Sequence, residues 1–187
     1  MMDATPRRAE THQRILDAAG RLFRQNGIDG VGVDAVMKEA GLTHGGFYAH
    51  FASKEALAAE VAQTLLERAA HTWDDISRSG DRDAALRKIV LHYLNPERVA
   101  SGLCCPLTSL GPDVARRSAS REAIGGALHG MLDALTRLMP GRRRQERALT
   151  ALSTMVGAVV LARLADDPAL ARGFLDAAAA SILPPER

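Results

Sequence analysis

Residues 41–57 read Gly41-Leu42-Thr43-His44-Gly45-Gly46-Phe47-Tyr48-Ala49-His50-Phe51-Ala52-Ser53-Lys54-Glu55-Ala56-Leu57. Gly41 supplies the backbone freedom that a tight turn between two helices needs. Thr43 is a fitting cap for a short helix from His44 to His50, and Ser53 for a longer one that reaches about Ser77. In the short helix Phe47 and Phe51 are expected to face inward, Tyr48 and His50 outward. Just upstream, Val33 to Ala40 makes another short helix with Val36, Met37 and Ala40 inward. Helix, glycine-containing turn, helix at this spacing is the helix-turn-helix pattern.

The pattern extends outward in both directions. Ile15, Ala18, Ala19, Leu22 and Phe23 recur at i, i+3, i+4, i+7 and i+8, one apolar stripe of a first helix. Thr11 is its expected N-cap and Asn26-Gly27 its stop. Downstream, helices are predicted over 82–94, 104–118, 121–138, 143–165 and 168–182. Breaks fall at Asn95-Pro96, Gly102, Pro140-Gly141 and Asp167-Pro168, with a kink or break at Pro112. No strand-like alternation persists. The expected fold is all-α with about nine helices. A three-helix head over residues 10–54 precedes a larger helical body over 55–187.

Composition agrees. The chain is 47% hydrophobic and 25% charged but only 4% aromatic, so a real core must be built from Leu, Ala, Val and Ile. The net charge of +2 is no evidence for a polyanionic partner. Residues 1–60 hold seven Lys/Arg and eight Asp/Glu, a net of −1, which leaves 17 against 14 and a net of +3 for 61–187. Nucleic-acid binding would therefore rest on a few placed groups. The two cysteines, Cys104 and Cys105, are adjacent, which excludes a disulfide framework and suits a reducing cytoplasm. Met1 to Glu10 has no apolar core of a signal peptide. The longest apolar run, Met155 to Ala162, is far too short for a membrane span.

The physics of 41–57 suits docking on double-stranded DNA. A helix N-terminus presents free N–H groups to a phosphate, and Thr43 adds a hydroxyl. Gly45 and Gly46 leave the leading turn without bulk, at a cost of about 1 kcal/mol each against alanine. Such a cost is easiest to understand at a binding surface. Thr43, His44, Gly45, Gly46, Tyr48, His50 and Lys54 are the candidate contacts. Residues 14–57 resemble the DNA-binding head of the TetR/AcrR family of transcriptional regulators. The matching stretches are Arg14-Ile15-Leu16-Asp17-Ala18-Ala19 with Leu22-Phe23 and Gly27, Ala40-Gly41-Leu42-Thr43, Phe47-Tyr48-Ala49-His50-Phe51 and Ser53-Lys54-Glu55-Ala56-Leu57. The resemblance implies a homodimer on a palindromic operator, usually a repressor released by a small molecule. By motif position, Thr43, Tyr48, His50 and Lys54 then meet phosphates, while His44, Gly45 and Gly46 face bases. One departure is Val31-Gly32-Val33, where the family usually shows Ser or Thr, so a cap oxygen and a phosphate contact are missing.

In the body, Trp73, His92, Tyr93, Cys104, Cys105, His129 and Met131 are candidates to line a pocket for a small apolar or amphipathic ligand. Cys104 and Cys105 sit before Pro106 at a helix entry, where a redox or electrophile sensor is one reading and plain packing the other. Arg142-Arg143-Arg144 reads as a solvated basic turn, with a second DNA contact as the alternative. Leu149, Leu152, Met155, Val156, Val159 and Val160 form a face wider than one core contact needs. Ala151, Gly157, Ala158 and Ala162 are small enough for a close helix approach, and the last helix adds Leu170, Phe174, Leu175, Ala178 and Ile182. The last two helices are the expected dimer contact.

No metal-ligand spacing, nucleophile elbow or phosphate loop occurs, so neither an enzyme nor a cofactor is expected. The remaining alternative is a helical ligand-binding adaptor that has lost specific DNA binding, which the net −1 head and the Val31-Gly32 departure would suit.

Overall fold

The computed structural model describes residues 4–102 and 105–185, with the side chains of 4–6 and 118–123 left aside. The described residues form ten α-helices and one 3₁₀ helix, in the order α1 (Ala4–Asn26), α2 (Val33–Glu39), the 3₁₀ helix His44–Ala49, α3 (Lys54–Ser77), α4 (Arg82–Tyr93), α5 (Pro96–Ala100), α6 (Pro106–Ser109), α7 (Gly111–Ala115), α8 (Ser118–Leu138), α9 (Arg144–Leu164) and α10 (Pro168–Ile182). The all-α reading is correct.

Local chemistry sets the boundaries. Ser53 Oγ accepts from Ala56 N–H at 3.1 Å to open α3. Asp81, Asn95 and Asp167 do the same for α4, α5 and α10, each satisfying N–H groups that a helix start leaves orphaned. Gly27 closes α1 at φ +73° and Gly41 closes α2 at φ +68°, a left-handed conformation that glycine adopts without a Cβ penalty. Thr11 is not a cap. The helix runs through it to Ala4, and side chains in and next to the extra turns are tied down. Arg8 Nη2 donates to Ala49 O at 2.9 Å, and His12 Nε2 donates to Glu60 at 2.6 Å.

The extra helices come from prolines. Asn95 caps and Pro96 opens a single turn where only a break was expected. The helix expected over 104–118 splits into α6 and α7 at Leu110, because Pro112 lacks the N–H that would continue the ladder.

Two cores form. One is the head: Ile15, Ala18, Ala19 and Phe23 of α1 pack on Ile28, Val36, Met37, Phe47 and Phe51, and Leu57, Ala58, Val61 and Ala62 of α3 close it. Leu110 and Val114, beside and within α7, are buried in this same head core. The other core belongs to the body and joins α3, α4, α8, α9 and α10 around Leu66, Ile89, Met131, Leu135, Met155 and Val159. The α8 helix lies close along α3, where a Cβ at Gly130 would already meet Ala70 Cβ at 3.4 Å.

Polar bonds reinforce the seam between head and α7. Asp113 Oδ2 accepts from the Ile28 N–H at 2.9 Å, and Arg117 Nη2 donates to Asp29 Oδ1 at 2.5 Å.

By length and composition, α9 is apolar enough to cross a membrane. The run of eight apolar residues understates it, because Ala, Gly and Thr extend the apolar stretch. Its chemistry has a simpler cause. One face buries Ala148, Ala151, Leu152, Met155, Ala158, Val159 and Ala162 in the body core. Another leaves Leu149, Val160, Leu161 and Leu164 in solvent, Leu164 at 76%.

Candidate nucleic-acid interface and ligand cavity

The segment after Gly41 is a 3₁₀ helix, with Gly46 N–H donating to Thr43 O at 3.1 Å. Two consecutive glycines disfavour the α form, and the tighter ladder suits a six-residue piece. Phe47 is its anchor. The ring is fully buried, 5.7 Å from Phe51, and Tyr48 stands edge-on to it at 5.2 Å. Tyr48 itself points out, 66% exposed. Thr43, His44 and Gly45 are exposed, Gly46 half-buried, and Lys54 half-exposed on the first residue of α3. Thr43 holds the N-cap position but its hydroxyl makes no capping bond.

His50 corrects the outward expectation. It sits three residues after Phe47, and residues i and i+3 share a face in a 3₁₀ helix. The side chain is half-buried, with Nδ1 enclosed and lacking a hydrogen-bond partner among the described residues. Its ring lies 6.1 Å from His12, which stacks on Phe51 at 4.4 Å. Burial first, then the His12 and Arg8 charges, lower the His50 pKa from its ordinary 6.5. The folded head thus prefers neutral His50. That contribution is complete above the ordinary value and is lost as pH falls through the lowered folded one. Thermal melts followed by circular dichroism are expected to drop on acidification below about pH 6.5, with a shallower drop in His50→Gln. Equal pH profiles for the two proteins would refute this role.

Two contacts escaped the sequence reading. Asp34, exposed in the first turn of α2, holds His44 through Nδ1 and leaves Nε2 outside that bond. Arg8 is fastened to the C-terminal end of the 3₁₀ helix. No local pattern announces either pairing. The Val31-Gly32 departure is visible as expected: Gly32 is the N-cap of α2 and makes no side-chain cap bond.

Glycine at 45 is not required by the protein itself. Among the described residues, a Cβ there would meet nothing within 4 Å, and one at Gly46 would only touch Met37 Cε at 3.7 Å.

In the body, a cavity of about 240 Å³ opens between α1, α3, α4, α5 and the start of α6. Trp73, His92, Tyr93 and Cys105 are four of its walls. Trp73 and Tyr93 meet edge to face at 5.8 Å. His92 is lowered in pKa by burial, then by Arg98 and Lys88. Two expected lining residues are elsewhere. Met131 is fully buried in the body core, and His129 is exposed on α8 with Nδ1 donating to Gly125 O at 2.8 Å. Both have side chains suited to a pocket wall, but α8 carries Met131 into the body core and leaves His129 in solvent. Cys104 lies outside the described residues. The 142–144 turn is solvent-facing, and Arg143 pairs with Glu146 at 3.6 Å.

Known proteins match this arrangement. The family described as bacterial regulatory proteins, tetR family, matches residues 15–61. The HTH-type transcriptional regulator AcrR of Shigella flexneri is 34% identical over 87 residues, 46% of this chain and 40% of that protein. TtgR of Pseudomonas putida is 30% identical over 92 residues, 46% of this chain and 42% of its own length. The matched part thus spans about two fifths of these curated relatives. Among solved structures, reduced NemR of E. coli superposes with a TM-score of 0.79 at 18% identity, covering 92% of this chain and 95% of that one. A TetR-family regulator from Agrobacterium tumefaciens does so at 0.79 and 16%, covering 95% and 100%. The fold is shared along nearly the whole length, while sequence likeness concentrates in the head. The likeness to the tetR family of bacterial regulatory proteins is carried by the head, residues 15–61.

Proposed function

We propose that the protein is a ligand-responsive, DNA-binding transcriptional regulator, a homodimer that releases a palindromic operator when a small molecule occupies the body cavity. The observation that carries the reading is Tyr48: a large aromatic ring exposed on a buried Phe47 anchor, flanked by open glycines and by Lys54. Tyr48, Lys54 and Thr43 contact phosphates, His44 reads a base edge, and His50 supports the element from behind. This supporting place sets His50 apart from the phosphate contact that the motif implies.

The apolar strip on α9, with Leu170 of α10, supports the dimer. Two such hairpins form a four-helix contact, and the heads then address half-sites one helical turn apart, about 34–36 Å. Cavity and head communicate through α6 and α7, since Pro106 borders the cavity while Leu110, Val114 and Asp113 engage the head. A ligand that favours one arrangement of these elements shifts head spacing. The regulator names of the relatives favour this reading over a DNA-blind adaptor.

A mobility-shift titration on the DNA upstream of its own gene tests the proposal. Tyr48→Ala and Lys54→Ala are expected to weaken binding across operator sequences, and the lysine variant also to flatten its salt dependence by about one unit of log–log slope. Unaltered binding in both variants would favour the adaptor. Gly45→Ala separates recognition from folding: it is expected to raise stability by about 0.5–1 kcal/mol while weakening the specific shift. A destabilised Gly45→Ala protein would show that the fold needs this glycine after all.

A further inference from the structure

An exposed carboxylate beside a DNA-reading surface costs affinity for every sequence, because the phosphates repel it. Asp34 is such a group: it lies in the first turn of α2, its side chain 83% exposed. Its carboxylate is bonded to Nδ1 of His44, ten positions further on and the first residue of the 3₁₀ helix. Tyr48 also meets this imidazole edge-on, with the ring centres 6.2 Å apart. The His44 ring thus has two partners, one from each helix, while 54% of its side chain stays in solvent.

We propose, resting on the DNA-binding reading above, that Asp34 is a positioning residue for operator reading. It sets the His44 imidazole so that Nε2 meets DNA as a hydrogen-bond acceptor and picks out the exocyclic amino group of adenine or cytosine. An ionised carboxylate can only accept, so the bond to Asp34 places a proton on Nδ1. In an uncharged imidazole, the bond that one nitrogen makes decides which of the two carries the proton. Nε2 is then left with its lone pair and no hydrogen. In the major groove adenine N6 and cytosine N4 carry donor hydrogens, whereas guanine O6 and N7 and thymine O4 are acceptors that repel such a lone pair. Asp34 touches no base in this role and acts through His44. A ring already fixed has less freedom to lose on binding than one that turns freely. The carboxylate thereby weakens attraction to DNA in general and sharpens the choice among sequences.

The test uses the full-length protein at about pH 8, above the ordinary imidazole value of about 6.5. Wild type, His44→Ala, Asp34→Ala and Asp34→Asn each select from a pool of randomised duplexes. Their affinities are then measured for the wild-type consensus and for an unrelated duplex. The base pair that His44 reads is the position whose preference His44→Ala flattens. Asp34→Ala is expected to flatten the same position by about fivefold or more and to leave the rest of the consensus in place. Its affinity for the unrelated duplex is expected to hold or rise, since a negative charge is gone. Asp34→Asn also removes the charge from the first turn of α2 but keeps an oxygen that accepts from Nδ1–H, and is expected to retain a preference there. Replacing the base by its analogue without the amino group, purine for adenine or 2-pyrimidinone for cytosine, is expected to weaken wild type about fivefold or more and the two alanine variants far less. A consensus that His44→Ala or Asp34→Ala leaves unaltered overturns the inference. So does equal flattening by Asp34→Ala and Asp34→Asn, or an amino-deleted duplex that wild type binds as before. A wild-type protein that prefers no sequence at all ends the DNA-binding reading itself, and the role of Asp34 with it.

Discussion

Phe47→Ala is expected to unfold the head, lowering stability by about 3–5 kcal/mol. The ring is fully enclosed and packs with Phe51 beneath the exposed side of the 3₁₀ helix. Whole domains are stable by only about 5–15 kcal/mol, so the loss is a large fraction of what holds the head. The functional consequence is as telling as the energetic one. Tyr48 loses its edge-on partner, and DNA binding is expected to vanish together with helical signal. Tyr48→Ala, by contrast, is expected to lose binding with the helical signal intact. Chemical denaturation followed by circular dichroism, run beside a mobility shift, separates the two. A Phe47→Ala protein that melts like the parent would mean that the 3₁₀ helix is held by its neighbours rather than by this anchor.

Leu110→Ala is the second large effect, at about 2–5 kcal/mol. The residue follows α6 in the chain, yet it is fully buried in the head core with Val114. Removing it opens a void at the seam rather than in the middle of either core. Amide hydrogen exchange is expected to rise in α1 and around Ile28, whose N–H bonds to Asp113, before it rises in α8 or α9. The ligand response is expected to weaken as well, since the same segment borders the cavity through Pro106. Increased exchange confined to the body would show that Leu110 serves the body alone and that the path from cavity to head runs elsewhere.

What could be read from the chain and what could not divide along contact range. The stripe Ile15-Ala18-Ala19-Leu22-Phe23 and the Phe47/Phe51 pair are local patterns, and both stripe and pair sit against the head core. Ser53 and the Gly27 and Gly41 stops follow from the capping chemistry of one or two residues. The seam does not, because Asp113 and Ile28 are 85 positions apart and Arg8 and Ala49 are 41. Each pairing depends on where whole helices dock. The same reason misled the choice of His129 and Met131: both have lining chemistry, but the roll of α8 against α3 decides which way they face. His50 was misjudged over a shorter span, where a 3₁₀ ladder replaced the α ladder and carried the ring toward His12.

The empty space around Gly45 also bears on how such a protein changes over time. Side chains can be added at the tip without disturbing Phe47 or the helices below it. Under the proposed DNA-binding role, a new operator preference can therefore arise by single steps that leave the scaffold intact, and the same freedom lets an engineer redirect the protein to a chosen target by varying that position and its immediate neighbours.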